Sequence, residues 1–432
     1  MKVALVNPSW SYEGSIYFGC REPHLPLEIG YARAMLEAQG HETLMLDGQL
    51  DGLTNAELAE KVAEFAPGMT VLTTAPTYLF WRCAQPELRI PGEFLQSLDG
   101  RGGRTVAIGP HGSATPGPTL RKLGVDLVVM GESEEVVAAL ADRGDWAGVP
   151  HTAVLAGEGV QVNGAPAASS FVRHPALTWP DRWIQRHHHH HHRFDDGRRG
   201  FGAEVEASRG CPYNCTFCAK IDFRDKYRRR ELSIILEEID ALISQGVGYI
   251  YFVDEIFLPQ RPLLEALRER DLQFGVQTRI DIWKPDLIDL LGEAGCVSVE
   301  AGVESLSVEG REALAKRCKL DNDEIASLLI RARRGIPFVQ ANLIGVEEDD
   351  PALVAEWRDR LRAEGVWAND PVPLYPYPSS PSYRQLFGEP DDRAWERAHD
   401  HYLAAFQRFS DIQDDRPLPL EALESRCCGR AA

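Results

Sequence analysis

Residues 203–218 read Ala203-Glu-Val-Glu-Ala-Ser-Arg-Gly-Cys211-Pro-Tyr-Asn-Cys215-Thr-Phe-Cys218, and the rest of the chain is best interpreted outward from them. A short run typical of a strand leads into three cysteines at C-x3-C-x2-C spacing, and the next predicted helix covers 231–245. Three thiolates at this spacing can hold three irons of a 4Fe-4S cluster and leave the fourth iron without a protein ligand. The stretch therefore predicts an iron-sulfur cluster with one open coordination position.

Zinc is the other metal that such a loop could bind. A structural zinc site usually has four ligands, often as two C-x2-C pairs, and no second pair lies near the motif. Cys296 and Cys318 stand alone in strand-like and helix-like stretches, where buried, inert thiols are expected. Cys427 and Cys428 lie in a distant polar tail. The cluster is therefore favoured, and zinc remains the alternative.

The cluster's open iron has a specific chemical use. It can capture the amino and carboxylate groups of S-adenosylmethionine, and an electron from a low-potential cluster can then cleave the sulfonium to give a deoxyadenosyl radical. Strand-like runs separated by helices follow the cysteine loop. These runs are 249–253, 273–278, 297–301 and 338–344. Together with 203–207 they predict a second region in which strands and helices alternate.

The first 145 or so residues also alternate between strand and helix. The strand-like runs are 2–6, 43–46, 70–74, 105–108 and 127–130, and the helix-like runs are 27–39, 55–65, 93–98, 118–123 and 132–140. Five such units predict a doubly wound parallel sheet, which binds ligands beyond the carboxyl ends of its strands. The candidate ligand-binding residues at those ends are Thr73, Thr74, Gly109, Pro110, His111, Gly131 and Glu132. The alternative is that they form ordinary strand-to-helix turns.

Taken together, these motifs resemble a known superfamily over roughly residues 1–370. The three cysteines, Tyr251-Phe-Val-Asp-Glu255 and Ala301-Gly-Val-Glu-Ser305 are similar to the signature of radical S-adenosylmethionine (radical SAM) enzymes. Pro26-Leu-Glu-Ile-Gly30 and the turns at Gly109 and Gly131 are similar to the cobalamin-binding domain that precedes the radical barrel in one subgroup, the class B methylases. The resemblance implies an N-terminal cobalamin domain, a six-stranded partial TIM-type barrel and a C-terminal helical segment.

The resemblance also implies roles for single residues. Cys211, Cys215 and Cys218 would ligate the cluster. Contacts to S-adenosylmethionine would come from Phe217, Glu255, Arg279, Glu304 and Ser305. The carboxylates would accept hydrogen bonds from the ammonium group, and Arg279 could hold the carboxylate bidentately. The alternative for each polar residue is a salt bridge or a cap on the barrel rim. The sequence points to no residue as the catalytic one.

One motif of histidine-ligated cobalamin domains is missing here. Those domains carry Asp-x-His-x-x-Gly after the first strand. Asp47-Gly-Gln49-Leu-Asp-Gly52 has the spacing but has Gln in place of His and follows the second strand. The segment 7–26 contains a single histidine, His24, beside the start of a helix. We therefore expect cobalamin to bind with its own base off and without a histidine ligand from this motif.

The alternation of strand and helix and the resemblance together imply domain boundaries of 1–147 for the cobalamin domain, 148–200 for a hairpin and His-rich linker, 201–370 for the barrel and 371–432 for a segment that caps the barrel. Within the linker lies a run of six histidines, His187 to His192. Two interpretations of it stay open, a solvated linker or imidazoles held near the active site. His-rich tracts also bind stray metal.

Charge and composition limit the partners. Against 46 basic residues the chain has 65 acidic ones, a formal net charge of −19. Such a charge disfavours nucleic acid and anionic membrane surfaces. Nine cysteines without a secretory pattern favour reduced thiols and a cytoplasmic location. The expected partners are a small-molecule substrate and an electron donor such as flavodoxin or ferredoxin.

The favoured hypothesis is an enzyme that methylates an unactivated carbon of a small molecule, of natural-product or saccharide type. It would use a 4Fe-4S cluster, S-adenosylmethionine and cobalamin. A cobalamin-assisted cyclisation or rearrangement is the alternative within enzymes. A cobalamin or redox sensor without turnover is the alternative outside them, although a sensor would have no need of the cosubstrate contacts.

Overall fold

Two parallel sheets, one in each half of the chain, organise the protein. The computed structural model describes residues 1–16, 22–77, 84–187, 200–222, 224–406 and 415–425. Within these ranges, no helix has both the length and the apolar character required to cross a bilayer. The predicted α/β class, with a doubly wound sheet followed by a partial barrel, is confirmed.

The N-terminal sheet has seven strands in the order β2-β1-β3-β4-β5-β6-β7. The strands are β1 Lys2–Asn7, β2 Glu42–Asp47, β3 Met69–Thr73, β4 Arg104–Ile108, β5 Leu127–Val129, β6 Thr152–Ala156 and β7 Gly159–Asn163. The helices of this half are Leu27–Ala38, Gly48–Asp51, Asn55–Phe65, Arg89–Leu98, Pro110–Ala114, Pro116–Leu123 and Glu134–Ala141. Val3 and Leu5 face one apolar core and Ala4 and Val6 the other, so both faces of the sheet are covered. The order of the first five strands places the ligand-binding switch point between β1 and β3.

The hairpin expected to begin the linker belongs to this sheet. β6 pairs antiparallel with β5, and β7 pairs antiparallel with β6. The sheet therefore continues to Asn163 rather than ending at 147. The described part of the remaining linker, residues 164–187, packs on the N-terminal domain, since the ring of Trp179 occupies the space where a side chain at Gly30 would lie. It contains a short 3-10 helix, Phe171–Arg173, and the helix Asp181–Arg186.

The second sheet has six parallel strands in the order β8-β11-β12-β13-β14-β15, the arrangement of a partial barrel. The strands are β8 Phe201–Val205, β11 Val247–Phe252, β12 Gln273–Thr278, β13 Cys296–Glu304, β14 Phe338–Leu343 and β15 Trp367–Ala368. The α-helices of this half are Leu232–Ser244, Arg261–Arg268, Pro285–Glu293, Val308–Ala313, Asn322–Gly335 and Pro351–Ala363, with 3-10 turns at Ala219–Asp222 and Ile280–Ile282. Two short antiparallel strands, β9 Ser208–Arg209 and β10 Arg228–Arg229, close the base of the cysteine loop.

The C-terminal segment was predicted to close the barrel, but its helices pack mainly on the N-terminal domain. Its helices are Pro381–Phe387, Ala394–Ala405 and Leu420–Glu424. The indole of Trp395 stacks on His111 of the N-terminal domain, with ring centroids 4.5 Å apart. Lys122, also in that domain, forms ion pairs with Glu396 and Glu424. Residues 371–383, which are rich in Pro and Tyr, lead into these helices. Tyr375 and Tyr377 belong to the apolar core of the N-terminal domain, and the ring of Tyr375 packs against Tyr402.

Candidate functional site

The cysteine loop is held against the C-terminal end of the helix Val308–Ala313. Thr216 donates its backbone N–H to Leu314 O at 3.0 Å and its hydroxyl to Ala313 O at 3.2 Å. Cys211, Cys215 and Cys218 are half-buried free thiols. Burial raises the pKa of Cys211 to about 11 and that of Cys218 to about 12. Iron must therefore displace a proton from each thiol as it binds.

Three cations surround this loop. The Lys220 ammonium lies 2.7 Å from Asp225 Oδ1 and 3.4 Å from Asn214 Oδ1 within the loop itself. Burial raises the pKa of Cys215, and the charges of Lys316, Arg279 and Lys220 act in the opposite direction. Such charges stabilise thiolates and the negative cluster that they would hold, so the loop fits the predicted iron-sulfur centre.

Arg279 lies at the end of β12 against this loop. Its guanidinium sits 4.1 Å from the ring centroid of Tyr213 and forms two hydrogen bonds with Asp281, of 3.0 and 2.7 Å. The third nitrogen, Nη1, is buried and has no hydrogen-bond partner among the described residues. Arg279 thus has a donor available near the loop, although Asp281 occupies the bidentate edge predicted to hold a carboxylate.

Glu304 ends β13 in a left-handed backbone conformation, with φ of 71°. Its carboxylate accepts a hydrogen bond of 2.8 Å from Lys316, which also donates to Gly302 O at 2.7 Å. Lys316 was missed by the sequence analysis. Lys316 lies in a turn between Ala315 and Arg317, which both have positive φ. No sequence motif marks this lysine.

Glu255 is engaged differently from its predicted role. Its carboxylate accepts hydrogen bonds of 2.7 Å from Gly210 N and from Arg224 Nη1. Arg224 pairs in turn with Glu206, which directly follows β8. Glu255 therefore fixes the entry to the cysteine loop, and a cosubstrate ammonium would have to share it with these donors.

Ser305 and Phe217 complete the predicted cosubstrate residues. Ser305 is buried and donates its hydroxyl to Asp349 at 2.7 Å, as part of a turn that also binds Ser307. This is the capping role that the alternative interpretation gave it. Phe217 lies half-buried on the loop between Cys215 and Cys218, and its contact with adenine stays a prediction.

The inner face of the barrel is polar. Val276, Val299 and Val339 belong to the apolar core on the helix side, and residues alternate between the two faces of a strand. The polar residues of the opposite face are Glu204, Glu206, Tyr251, Gln277, Glu300, Gln340 and Asn342. Tyr251 donates its hydroxyl to Glu300 at 3.0 Å, and Gln340 donates to Asn342 at 2.6 Å. This face offers hydrogen bonds from several strands to a bound molecule.

At the carboxyl edge of the N-terminal sheet, the two threonines predicted to contact cobalamin form hydrogen bonds within the protein. Thr73 donates its hydroxyl to Asn7 Oδ1 at 2.7 Å, and Asn7 donates to Asp47 at 2.6 Å. Thr74 donates to Ile108 O at 3.2 Å. Gly109 has φ of 128°, a conformation that favours glycine. The edge is thus lined by small residues whose side chains are already satisfied, which suits close approach of a large flat ligand.

His111 and Gly131 have structural roles that do not depend on a ligand. Burial lowers the pKa of His111 to about 3, and its Nε2 lies 2.8 Å from Gln85 O. The ring is therefore neutral and packed beneath Trp395. A Cβ at Gly131 would approach Ala167 O to 2.4 Å. A bulky residue there would disturb the fold itself, beyond any effect on a ligand.

Glu132 lies in a buried ion-pair network that joins the two halves of the chain. It contacts Arg228 and lies 3.2 Å from Arg209 Nη1. Arg209 also binds Glu134 at 2.8 Å and Glu206 at 2.7 Å. The pKa of Glu132 falls to about 2 because the neighbouring arginines outweigh its burial. Its carboxylate is committed to this junction, at the base of the cysteine loop.

Asp254, beside Glu255, gives a pH prediction. Burial raises its pKa to about 8, against bonds from Ala207 N and the Ser208 hydroxyl. The folded protein therefore takes up a proton that the unfolded chain has released above about pH 4. This contribution to stability is complete below that pH and is lost as the pH rises towards 8.

Asp254→Asn mimics the protonated group and should remove this loss. Urea unfolding should show the variant gaining stability over wild type by roughly 1.4 kcal/mol for each pH unit between 5 and 7, at most. Asp240→Asn, at an exposed partner of Arg270, is the matched control and should show no such trend. A constant difference between Asp254→Asn and wild type across this range would mean that Asp254 is ionised in the folded protein.

Comparison with known proteins supports these assignments at the level of fold and family. Residues 205–357 match the family model described as "Radical SAM superfamily". An uncharacterised methyltransferase of Pyrococcus horikoshii is 26% identical over 329 residues, which cover 73% of this chain and 68% of that protein. The anaerobic magnesium-protoporphyrin IX monomethyl ester cyclase of Rubrivivax gelatinosus is 26% identical over 412 residues, which cover 89% of this chain and 70% of the cyclase.

A solved structure shares both halves of the fold. The radical S-adenosylmethionine methyltransferase TsrM from Kitasatospora setae, with cobalamin and a [4Fe-4S] cluster bound, superposes with a TM-score of 0.70 at 18% identity. The superposition covers 88% of this chain and 76% of TsrM. Residues 205–357 therefore correspond to a radical SAM domain, and the chain as a whole shares the fold of TsrM.

Proposed function

We propose that this protein is a cobalamin-dependent radical SAM methyltransferase that acts on an unactivated carbon of a small polar molecule. The observation that carries the proposal is the convergence on one barrel mouth of the cysteine loop, Arg279 and the Glu304–Lys316 pair. These charged groups surround Cys215. The mouth opens onto the polar inner face of the barrel.

When bound, the proposed cofactors supply reductive cleavage of S-adenosylmethionine at the cluster and carriage of a methyl group on cobalt. The chain's own residues hold and orient the reactants. Cys211, Cys215 and Cys218 would ligate three irons. The buried Nη1 of Arg279 would donate to the cosubstrate carboxylate, and Glu304, held by Lys316, would accept from its ammonium or ribose. An external one-electron donor, such as flavodoxin or ferredoxin, would reduce the cluster.

The N-terminal edge supports the cobalamin part of the proposal. Thr73, Thr74, Gly109 and Pro110 offer a shallow edge of small side chains and backbone at the carboxyl ends of β3 and β4. Their polar side-chain atoms are satisfied within the protein. We therefore infer that cobalamin is held by shape and by backbone groups here.

The polar barrel face supports a substrate rich in hydroxyl or amide groups, such as a saccharide or a polar natural-product intermediate. The buried Oε1 of Gln277 has no hydrogen-bond partner among the described residues, and an apolar substrate would leave it unpaired. This disfavours flat or polycyclic hydrocarbon substrates.

The test is an anaerobic assay with S-adenosylmethionine deuterated in its methyl group, reconstituted enzyme, hydroxocobalamin and a panel of nucleotide sugars and polar metabolites. Methylation predicts a product that carries the CD₃ group, together with deoxyadenosine and S-adenosylhomocysteine. A product that has lost hydrogen without gaining CD₃ would identify the cyclase-type reaction instead. Absence of any cosubstrate cleavage by protein that binds both cofactors would favour the sensor.

Glu304 and Ser305 give a matched pair of variants at adjacent positions. Glu304→Gln should weaken S-adenosylmethionine binding by about 10- to 100-fold, because a charge-assisted hydrogen bond is lost while iron content is kept. Ser305→Ala removes the hydroxyl's contacts with Asp349 and Ser307 and should change affinity by less than about threefold. Equilibrium binding to the reconstituted protein measures both. An equal loss of affinity in both variants would mean that Ser305 also contacts the cosubstrate. Unchanged affinity in Glu304→Gln would mean that Glu304 does not contact it.

A further inference from the structure

Two histidines and a glutamate meet where the N-terminal domain, the linker and the barrel come together. His24 Nδ1 lies 2.5 Å from Glu204 Oε1, and His187 Nε2 lies 2.7 Å from the same oxygen. All three potential ligand atoms lie within 4.8 Å of one another. His24 precedes the first helix of the chain, His187 follows the linker helix, and Glu204 lies on β8.

The cluster is buried and its carboxylate is oriented. The two histidines are 5% exposed and Glu204 is fully buried. The imidazole rings meet edge to face, with centroids 5.7 Å apart, and each directs a nitrogen at Glu204 Oε1. The second carboxylate oxygen, Oε2, accepts a hydrogen bond of 3.1 Å from Leu25 N. That bond leaves Oε1 directed at the two rings, as an outer-shell contact orients a metal ligand.

We propose that His24, His187 and Glu204 bind a divalent transition-metal ion, separate from the iron-sulfur cluster. Two imidazole nitrogens and one carboxylate oxygen form the ligand set of many Zn²⁺ and Fe²⁺ sites. Three protein ligands leave at least one coordination position for water or another small ligand. The inference rests on these residues alone and does not depend on the proposed function.

The ion would link parts of the chain that are distant in sequence. It would join the loop before the first helix, the end of the linker and the first barrel strand, and so fix the junction between the two domains. Binding energy at such a site contributes directly to folding, because the ligands are not assembled in the unfolded chain. Without an ion, the same residues would form a hydrogen-bonded His–Glu–His contact.

The experiment must exclude the other metal-binding groups. Full-length protein is made with Cys211, Cys215 and Cys218 changed to Ala and with residues 188–192 changed to Ser, and is stripped of metal. Titration with Co²⁺ should give visible d–d absorption that saturates at about one equivalent and is displaced by Zn²⁺. Adding Glu204→Gln should abolish this binding. Glu206→Gln, at a buried carboxylate just past the end of β8 that is paired with arginines, should keep it.

A second readout guards against variants that fold poorly. Zn²⁺ should raise the melting temperature of the parent protein by several degrees, and a chelator should reverse the shift, since a ligand that binds the folded state stabilises it. The Glu204→Gln protein should not respond. Folded parent protein that gains neither the Co²⁺ spectrum nor a Zn²⁺-dependent shift would overturn the proposal. So would a bound equivalent that persists in Glu204→Gln.

Discussion

Cys215→Ala protein, after anaerobic reconstitution, is expected to retain little iron and no cleavage of S-adenosylmethionine. Wild-type protein should bind about four irons with broad absorption near 400 nm, because three thiolates hold three irons and leave the fourth for the cosubstrate. Removing one of three ligands in a loop this short leaves the cluster with two. Iron content, absorption and deoxyadenosine formation measure the loss.

Cys296→Ala is the matched control. Cys296 is a buried thiol that begins β13 and belongs to the barrel core. Its loss should cost about 1–3 kcal/mol of stability through the small cavity it leaves, with iron content and cleavage unchanged. Full iron loading and cleavage in Cys215→Ala would contradict the ligand assignment. Loss of iron in Cys296→Ala would mean that the assay reports on folding rather than on ligation.

Features encoded by local spacing could be predicted from the sequence. The three cysteines lie within eight residues, and alternating strand and helix patterns predicted β1 to β5 and five of the six barrel strands to within a few residues at each end. The hairpin β6–β7 was also predicted, but its pairing with β5 was not. That pairing depends on which strand edge is left open in the folded sheet, and no local pattern encodes it.

Features created by contacts between distant segments could not be predicted. Lys316 reaches Glu304 through a turn with positive φ at non-glycine residues. His24 was noticed as a lone histidine, and its neighbours His187 and Glu204 come from other segments. Glu132 stood at a strand end where ligand contacts are common, yet the fold commits it to Arg209 and Arg228. A polar residue at a strand end near a domain junction can either bind a ligand or form an ion pair with the other domain, and the sequence alone does not distinguish these two roles.

The second large effect is expected at Arg209. This guanidinium is fully buried among Glu132, Glu134 and Glu206 and lies 4.3 Å from the Phe171 ring centroid. Arg209→Met should lower the free energy of unfolding by about 3–5 kcal/mol, because removal of one partner leaves buried carboxylates uncompensated. Glu134 would be affected most, since Glu132 keeps Arg228 and Glu206 keeps Arg224. Urea denaturation measures the change.

Two further variants test this explanation. Arg101→Met removes an arginine whose ion pair with Glu60 is exposed, and should cost far less stability than Arg209→Met. Adding Glu134→Gln to Arg209→Met should recover part of the loss, because the uncompensated charge is then removed. A loss in Arg209→Met no larger than that in Arg101→Met would show that the network adds no net stability.

Arg209 belongs to β9 and pairs with β10 at the base of the cysteine loop, so Arg209→Met should also lower iron retention after reconstitution. That coupling would tie the position of the N-terminal domain to the integrity of the cluster loop.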